Sequence, residues 1–247
     1  MTNLSPSSEQ SKTSTAKAST AKTSTAKSSL RNGIILALFA LVSSGLTAIT
    51  WILTKDQIES EKELALLRAI SELVPAQRYA NEPYRDCVLL RDEQLLGSSD
   101  PQQAWRLRDV NGKAVAVLIS SVAPNGYSGK INILVGHYVA TASKATHLAG
   151  VRVTGHKETP GLGDKIEVRK SNWILQFADL ATEDLKGDYW QVKKDGGQFD
   201  AFTGATITPR AMLSAISNNI TYFQRHEQEI FSTAANCIDS EKEQTSE

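Results

Sequence analysis

Charge disappears from the chain after Arg31, and it stays absent through a long apolar run. That run is GIILALFALVSSGLTAITWIL, from Gly33 to Leu53. At about 1.5 Å per residue it makes about 31 Å of helix, the thickness of a bilayer's hydrocarbon core. Trp51 sits near one end, where an amphipathic ring favours the interface. A signal peptide's apolar region is shorter, roughly 7–15 residues, and LTAITW is a poor small-residue cleavage site. The run therefore reads as an uncleaved anchor.

Beyond it the period changes twice. KDQIESEKELALLRAISELVP keeps Ile58, Leu64, Leu67, Ile70 and Val74 at helical spacing, and Pro75 limits its end. Such a helix over 54–75 either stands a domain off from the membrane or packs along it. From residue 86 the pattern predicts strands at CVLL, AWRLRDV and AVAVLISSV, the last two joined across Asn111-Gly112, a strong hairpin signal. GYSGKI, INILVGHYV and HLAGVRVTGH follow, with a further strand near DYWQVKK ahead of Gly196-Gly197. The last helix is expected from Thr208 to about Phe231. Thr208 suits its cap, Pro209 its first position, and Met212, Ile216, Ile220 and Phe223 form one apolar stripe. The fold class expected is α+β: one N-terminal transmembrane helix, then an exported domain with an antiparallel sheet backed by helices.

Charge adds orientation. The 247 residues balance 27 basic against 27 acidic groups, so nothing draws the whole chain toward nucleic acid. Before the anchor, however, Lys12, Lys17, Lys22, Lys27 and Arg31 face one acid, Glu9, whereas the segment after it is acidic on balance. The positive-inside rule keeps the N-terminus in the cytoplasm and exports the rest. Residues 1–32, with their Thr-Ala-Lys repeats, lack large apolar side chains and are expected to be a disordered tail whose lysines flank the membrane lipid. Residues 76–231 form the exported domain, and 232–247 a flexible polar tail. Cys87 and Cys237 both fall on the oxidising side, where a disulfide or two separate thiols are equally open. None of the four histidines stands at metal-ligand spacing to a cysteine.

Candidate chemistry concentrates in DAFTGATITPR, just before the final helix. A helix start offers unpaired N–H groups and the positive end of the dipole, which together attract phosphate. Gly204 and Ala205 keep the turn small, Thr203 and Thr206 supply hydroxyls, and Asp200 supplies a carboxylate. Those features suit a phosphate bound or esterified at a threonine. A ligand-free capping turn explains Thr208-Pro209 equally.

Asp200-x-x-Thr203-Gly204-Ala205-Thr206 resembles the flavinylation sequence of FMN-binding domains, a match that chance gives a chain of this size about once in a thousand. GYSGKINILVG (126–136) and VTGHKETPGLGDKIE (153–167) extend the likeness to the RnfG/RsxG family, a component of the Rnf/Rsx electron-transport complex. The related C-type component of the sodium-translocating NADH:quinone oxidoreductase shares the pattern. The resemblance covers the anchor and nearly all of residues 55–231. It implies FMN joined to Thr206 by a phosphodiester, with Asp200, Thr203, Gly204 and Ala205 read by an FAD:protein FMN transferase. It also places Glu158, Thr159, Pro160, Gly161, Leu162 and Gly163 in a loop beside the flavin. The Pro-Gly and Gly-Leu-Gly steps agree with that, because they expose backbone in a tight turn that a flat ring can approach. Residues 126–130 either place a cation and amides near the flavin or simply connect strands.

What the resemblance implies for function is an electron-relay component, not a self-sufficient enzyme. It would sit single-pass in a bacterial inner membrane, its main domain periplasmic, among other subunits that carry the ion path. No Gly-x-Gly-x-x-Gly unit for a nicotinamide is present, and the apolar span holds no ionisable side chain. The alternatives are the C-type component of the sodium pump, a membrane-tethered flavin reductase, or a non-redox scaffold whose threonine turn is only a cap.

Overall fold

The computed structural model describes residues 17–141, 145–182 and 187–237. Among the described residues the first element is one helix, α1 (Lys17–Leu73). Within it Leu30–Lys55 is long and apolar enough to cross a membrane, with a mean hydropathy of 2.1. Its side chains are exposed, as a lipid-facing surface requires. Hydroxyls in the span are satisfied locally. Ser43, Thr47, Thr50 and Thr54 each donate to the carbonyl four residues back, at 2.5 to 2.9 Å, so no polar group needs a partner from outside the helix.

The second compact unit begins at Leu64. Its sheet is a five-stranded antiparallel meander in the order β1 (Cys87–Leu90), β2 (Gln102–Arg108), β3 (Ala114–Gly126), β4 (Gly129–Tyr138) and β5 (His147–Gly155). The β2–β3 turn uses Gly112 at φ 76°, while Asp109 Oδ1 accepts from the Asn111 and Lys113 amides. A short helix, α2 (Glu93–Leu96), capped by the Asp92 carboxylate, lies between β1 and β2. The chain ends on α3 (Ile207–Ser232).

Alternation along the strands divides the core into two faces. On one, Ile70, Leu73 and Val74 at the end of α1 pack with Trp105, Leu107, Ala116, Leu118 and Leu134. On the other, Ala104, Val117 and Ile119 meet Tyr222 and Phe223 of α3. Ile131, Ile133 and Val135 meet Met212, Leu213 and Ile216 on that same side. At the far end of α3, buried Arg106 donates to the Ile230 and Thr233 carbonyls, and Arg108 donates to that of Phe231. Asp86 pairs with both arginines. Two guanidinium groups therefore satisfy carbonyls that the helix itself leaves open.

Several elements differ from the expectation. DYWQVKK is not a strand: Gly187–Trp190 and Lys193–Asp195 are 3-10 turns, and Val192 alone bridges to Phe199. Aromatic and β-branched residues there serve an aromatic cluster, with Trp190 stacked on Phe199 at 5.4 Å and Phe177 at 6.2 Å. Helix α1 is continuous through the anchor and begins at Lys17, inside the stretch expected to lack structure, where Ala and Lys are good helix formers. The rest of that tail, 1–16, lies outside the described residues. At the other end, 233–237 is held along the edge of β1. Asn236 N–H donates to the Cys87 carbonyl, Asn236 Oδ1 accepts from Leu89 N–H, and Cys87 and Cys237 form a disulfide with Cα atoms 5.6 Å apart. Residues 238–247 of the expected flexible tail also lie outside the described residues.

Candidate functional site

Thr206 is the N-cap of α3, and the structure gives it an unusual economy. Its backbone is already helical, at φ −88° and ψ −26°. The hydroxyl makes no cap hydrogen bond, and it has no hydrogen-bond partner among the described residues. Thr208 and Pro209 are thus the second and third helical positions, not cap and first position as the sequence suggested. Proline fits there because the first four N–H groups of a helix have no partner within it. The amides of Ile207 and Thr208 remain at the open end of a 26-residue helix, where the dipole favours an anion.

The Thr208 hydroxyl turns away from capping and donates to Glu158 Oε2 at 2.6 Å. Glu158 is buried, and its other oxygen accepts from the Ser128 amide at 2.9 Å. One carboxylate thereby ties together the β3–β4 turn, the loop after β5 and the start of α3. The Glu158 amide donates to His156 Nδ1 at 3.0 Å, so the proton of the neutral ring sits on Nε2, which donates to Glu167 at 2.8 Å. That bond, helped by Arg169, holds the Glu167 carboxyl below its usual range. Gly161 N–H donates to Asp164 Oδ1 at 2.7 Å, and the Leu162 and Gly163 amides donate to the Thr159 carbonyl.

Between these pieces lies an open pocket of about 290 Å³. Of the residues expected near a flavin, Glu158, Thr159, Leu162, Gly163, Gly204, Ala205 and Thr206 line it. Pro160, Gly161 and Thr203 are exposed and do not. Asp200 lies away from the lining, with its exposed carboxylate 2.8 Å from Lys193 Nζ. Of the two alternatives for 126–130, the structure shows the connection between strands. The segment connects β3 to β4, and Tyr127 lines the pocket while the Ser128 amide binds Glu158. Ile207 and Thr208 were not anticipated as wall residues. Their place in the first turn of α3, directly after Thr206, is the signal that could have found them.

Small residues keep this pocket open. A Cβ on Gly163 would lie 2.5 Å from Glu158 Oε2 and 3.0 Å from Thr208 Oγ1. Gly204 adopts φ 82°, a conformation that a side chain disfavours. An unclaimed hydroxyl, two free helix-start amides and a partly apolar cavity are what a flavin phosphate and its ring require. The residues present fit FMN.

Comparison with known proteins agrees with that geometry. Residues 126–221 match the family model of the FMN-binding domain, and residues 21–73 match that of the RnfG N-terminal region. The G component of the ion-translocating oxidoreductase complex from Pseudoalteromonas atlantica is 48% identical over 207 residues, covering 84% of this chain and 94% of that protein. Its counterpart in Shewanella piezotolerans is 44% identical, covering 86% and 98%. The chain belongs to the RnfG family. A solved structure, NqrC of Shewanella oneidensis, is similar at 20% identity and a TM-score of 0.41, covering 64% of this chain and 74% of that one. The RnfG chain's FMN-binding domain thus spans β4, β5 and the first half of α3, and it contains Thr206 together with the Glu158 loop.

Proposed function

We propose that this RnfG-family chain relays electrons within a membrane-bound, ion-translocating oxidoreductase complex, through FMN carried covalently on Thr206. The observation that carries the reading is Thr206, whose hydroxyl is unused by the helix it caps and which lines the pocket formed with the Glu158 loop. In the attachment step the hydroxyl oxygen gains a bond to the flavin-side phosphorus of FAD, the pyrophosphate link breaks, AMP leaves and the hydroxyl proton is released. An isoalloxazine, once bound, takes and gives electrons one or two at a time.

The chain's own residues supply the setting. Ile207 and Thr208 amides would meet the phosphate's charge, while Gly204 and Ala205 leave room beside it. Leu162, Gly163, Thr159 and Glu158 would wall the ring, and Glu158, held by Thr208 and Ser128, fixes the wall in place. Pro160 and Gly161 shape the same turn. Asp200 and Thr203, both exposed, are available to the transferase that reads the sequence around Thr206.

The span at Leu30–Lys55 supports a membrane anchor. For its orientation the basic flank and the Cys87–Cys237 disulfide point the same way, because disulfides persist in oxidising compartments such as the bacterial periplasm. Residues before the span would be cytoplasmic, and the folded domain periplasmic beside an inner membrane. Full-length chain from cells with and without the FMN transferase tests the reading on a denaturing gel. In-gel flavin fluorescence only with the transferase supports it, and a colourless band in both excludes covalent FMN.

A further inference from the structure

Five large apolar side chains outside α1 are exposed among the described residues: Val110, Tyr127, Leu162, Leu175 and Ile207. Three of them, Tyr127 at 68%, Ile207 at 47% and Leu162 at 42%, belong to the rim of the Thr206 pocket. They come from three separate segments, so their convergence is a property of the folded face and not of one greasy loop.

Charge around that rim is one-sided. On the segments that frame it, 126–130 and 154–170, Lys130, Lys157, Arg169 and Lys170 are exposed. The acids on the same segments are withdrawn: Glu158 and Asp164 are buried, and Glu167 is half-buried. Both distal cations tie back to the pocket loop. Lys170 approaches Asp164, which holds the Gly161 amide, and Arg169 binds Glu167, which holds His156. Across the pocket Lys193 pairs with Asp200 and Arg210 with Asp195, which leaves Lys194 as the further exposed cation of 193–210. A chain of zero formal charge thus presents a basic collar beside an apolar opening, in which Lys130 and Lys157 have no acidic partner among the described residues while Arg169 and Lys170 are paired.

We infer that this face docks a redox partner in the same complex through an acidic surface with an apolar centre. The inference rests on the flavin reading for the reason a partner must come close to this pocket, but the surface itself does not depend on it. Charge complementarity of this kind steers encounter and fixes orientation, while the apolar centre excludes water. The basic collar leaves an acidic partner as the complementary one.

The test uses the full chain in its assembled complex, with the photo-reactive amino acid benzoylphenylalanine at position 127. Position 110 serves as control, at the opposite end of β3 and about 40 Å away along the strand. Flavin content is measured by mass on the same preparations, so a failure of FMN attachment is seen separately. The expected result is a cross-link from position 127 to an Asp/Glu-rich peptide of another protein of the complex, absent from position 110. Raising salt from about 0.05 to about 0.5 M shortens screening from about 14 to about 4 Å and should cut its yield at least about threefold. Lys157→Glu combined with Arg169→Glu should do the same at low salt. Cross-links only to lipid or to the FMN transferase, to a peptide without acidic residues, or in a yield indifferent to salt and to charge reversal, overturn the inference. So does an equal cross-link to the same peptide from position 110.

Discussion

Acid should loosen the domain through one buried ring. His137 stands on β4 facing α3, fully buried, stacked on Phe223 at 4.5 Å and bonded through Nε2 to Asn219 Oδ1 at 2.7 Å. Its Nδ1 is buried without a partner. A neutral ring with its proton on Nε2 satisfies Asn219, but a second proton on Nδ1 would have nothing to bind. Burial accordingly drives the pKa down to about 4 from 6.5, against the opposing pull of the Asn219 bond. The folded state is the one that refuses the proton, so stability is complete above about pH 6.5. It falls as the pH drops from there toward 4, where the loss levels off. Integrating proton uptake between about pH 7.5 and 4.5 gives on the order of 2–3 kcal/mol from this residue alone, a sizeable share of a domain's total. The assay is urea unfolding of the full chain in mild detergent, followed by tryptophan fluorescence across that range, for wild type and His137→Gln. An amide at 137 can still donate toward Asn219 but does not titrate. The variant should therefore lose roughly 2–3 kcal/mol less than wild type on acidification. Equal losses in the two proteins would refute the assignment of acid sensitivity to this ring.

Further outcomes are expected from other parts of the domain. The Cys87–Cys237 disulfide closes a separation of 150 residues, worth about 5 kcal/mol in the chain-entropy picture, near the upper end of what such links deliver. The double variant Cys87→Ser with Cys237→Ser should unfold at clearly lower urea and release 233–237 from β1, seen as faster amide exchange at Leu89. Thr208→Val deletes the hydroxyl that Glu158 binds, leaving a buried carboxylate with one partner fewer. A cost of about 1.5–3 kcal/mol is expected, with the flavin content of the purified chain reduced, whereas Thr208→Ser should restore both.

Much of this architecture was legible because local pattern and burial agree. Strands β1 to β5 and helix α3 announce themselves by period, and Asn111-Gly112 by turn chemistry. DYWQVKK misled because tyrosine, tryptophan and valine raise strand propensity wherever they occur, although here their side chains fill a cluster with Phe177 and Phe199. The threonine motif drew attention to Thr206 but not to the contacts its neighbours make. Thr208 looked like a cap because its partner, Glu158, lies 50 residues away, and no spacing rule connects them. The disulfide was undecidable for the same reason, since only the fold brings the C-terminal segment back to β1. His137 gave no signal at all, as its burial depends on α3 covering β4.

Covalent flavin on Thr206 is tested most directly by peptide mapping, by mass, of the full-length chain made together with the FMN transferase. FMN, less one water, is expected on the peptide containing Thr206, retained at least in part in Thr206→Ser and lost in Thr206→Ala. Flavin found on another residue, or a Thr206→Ala chain that keeps its covalent flavin, would overturn the attachment at Thr206.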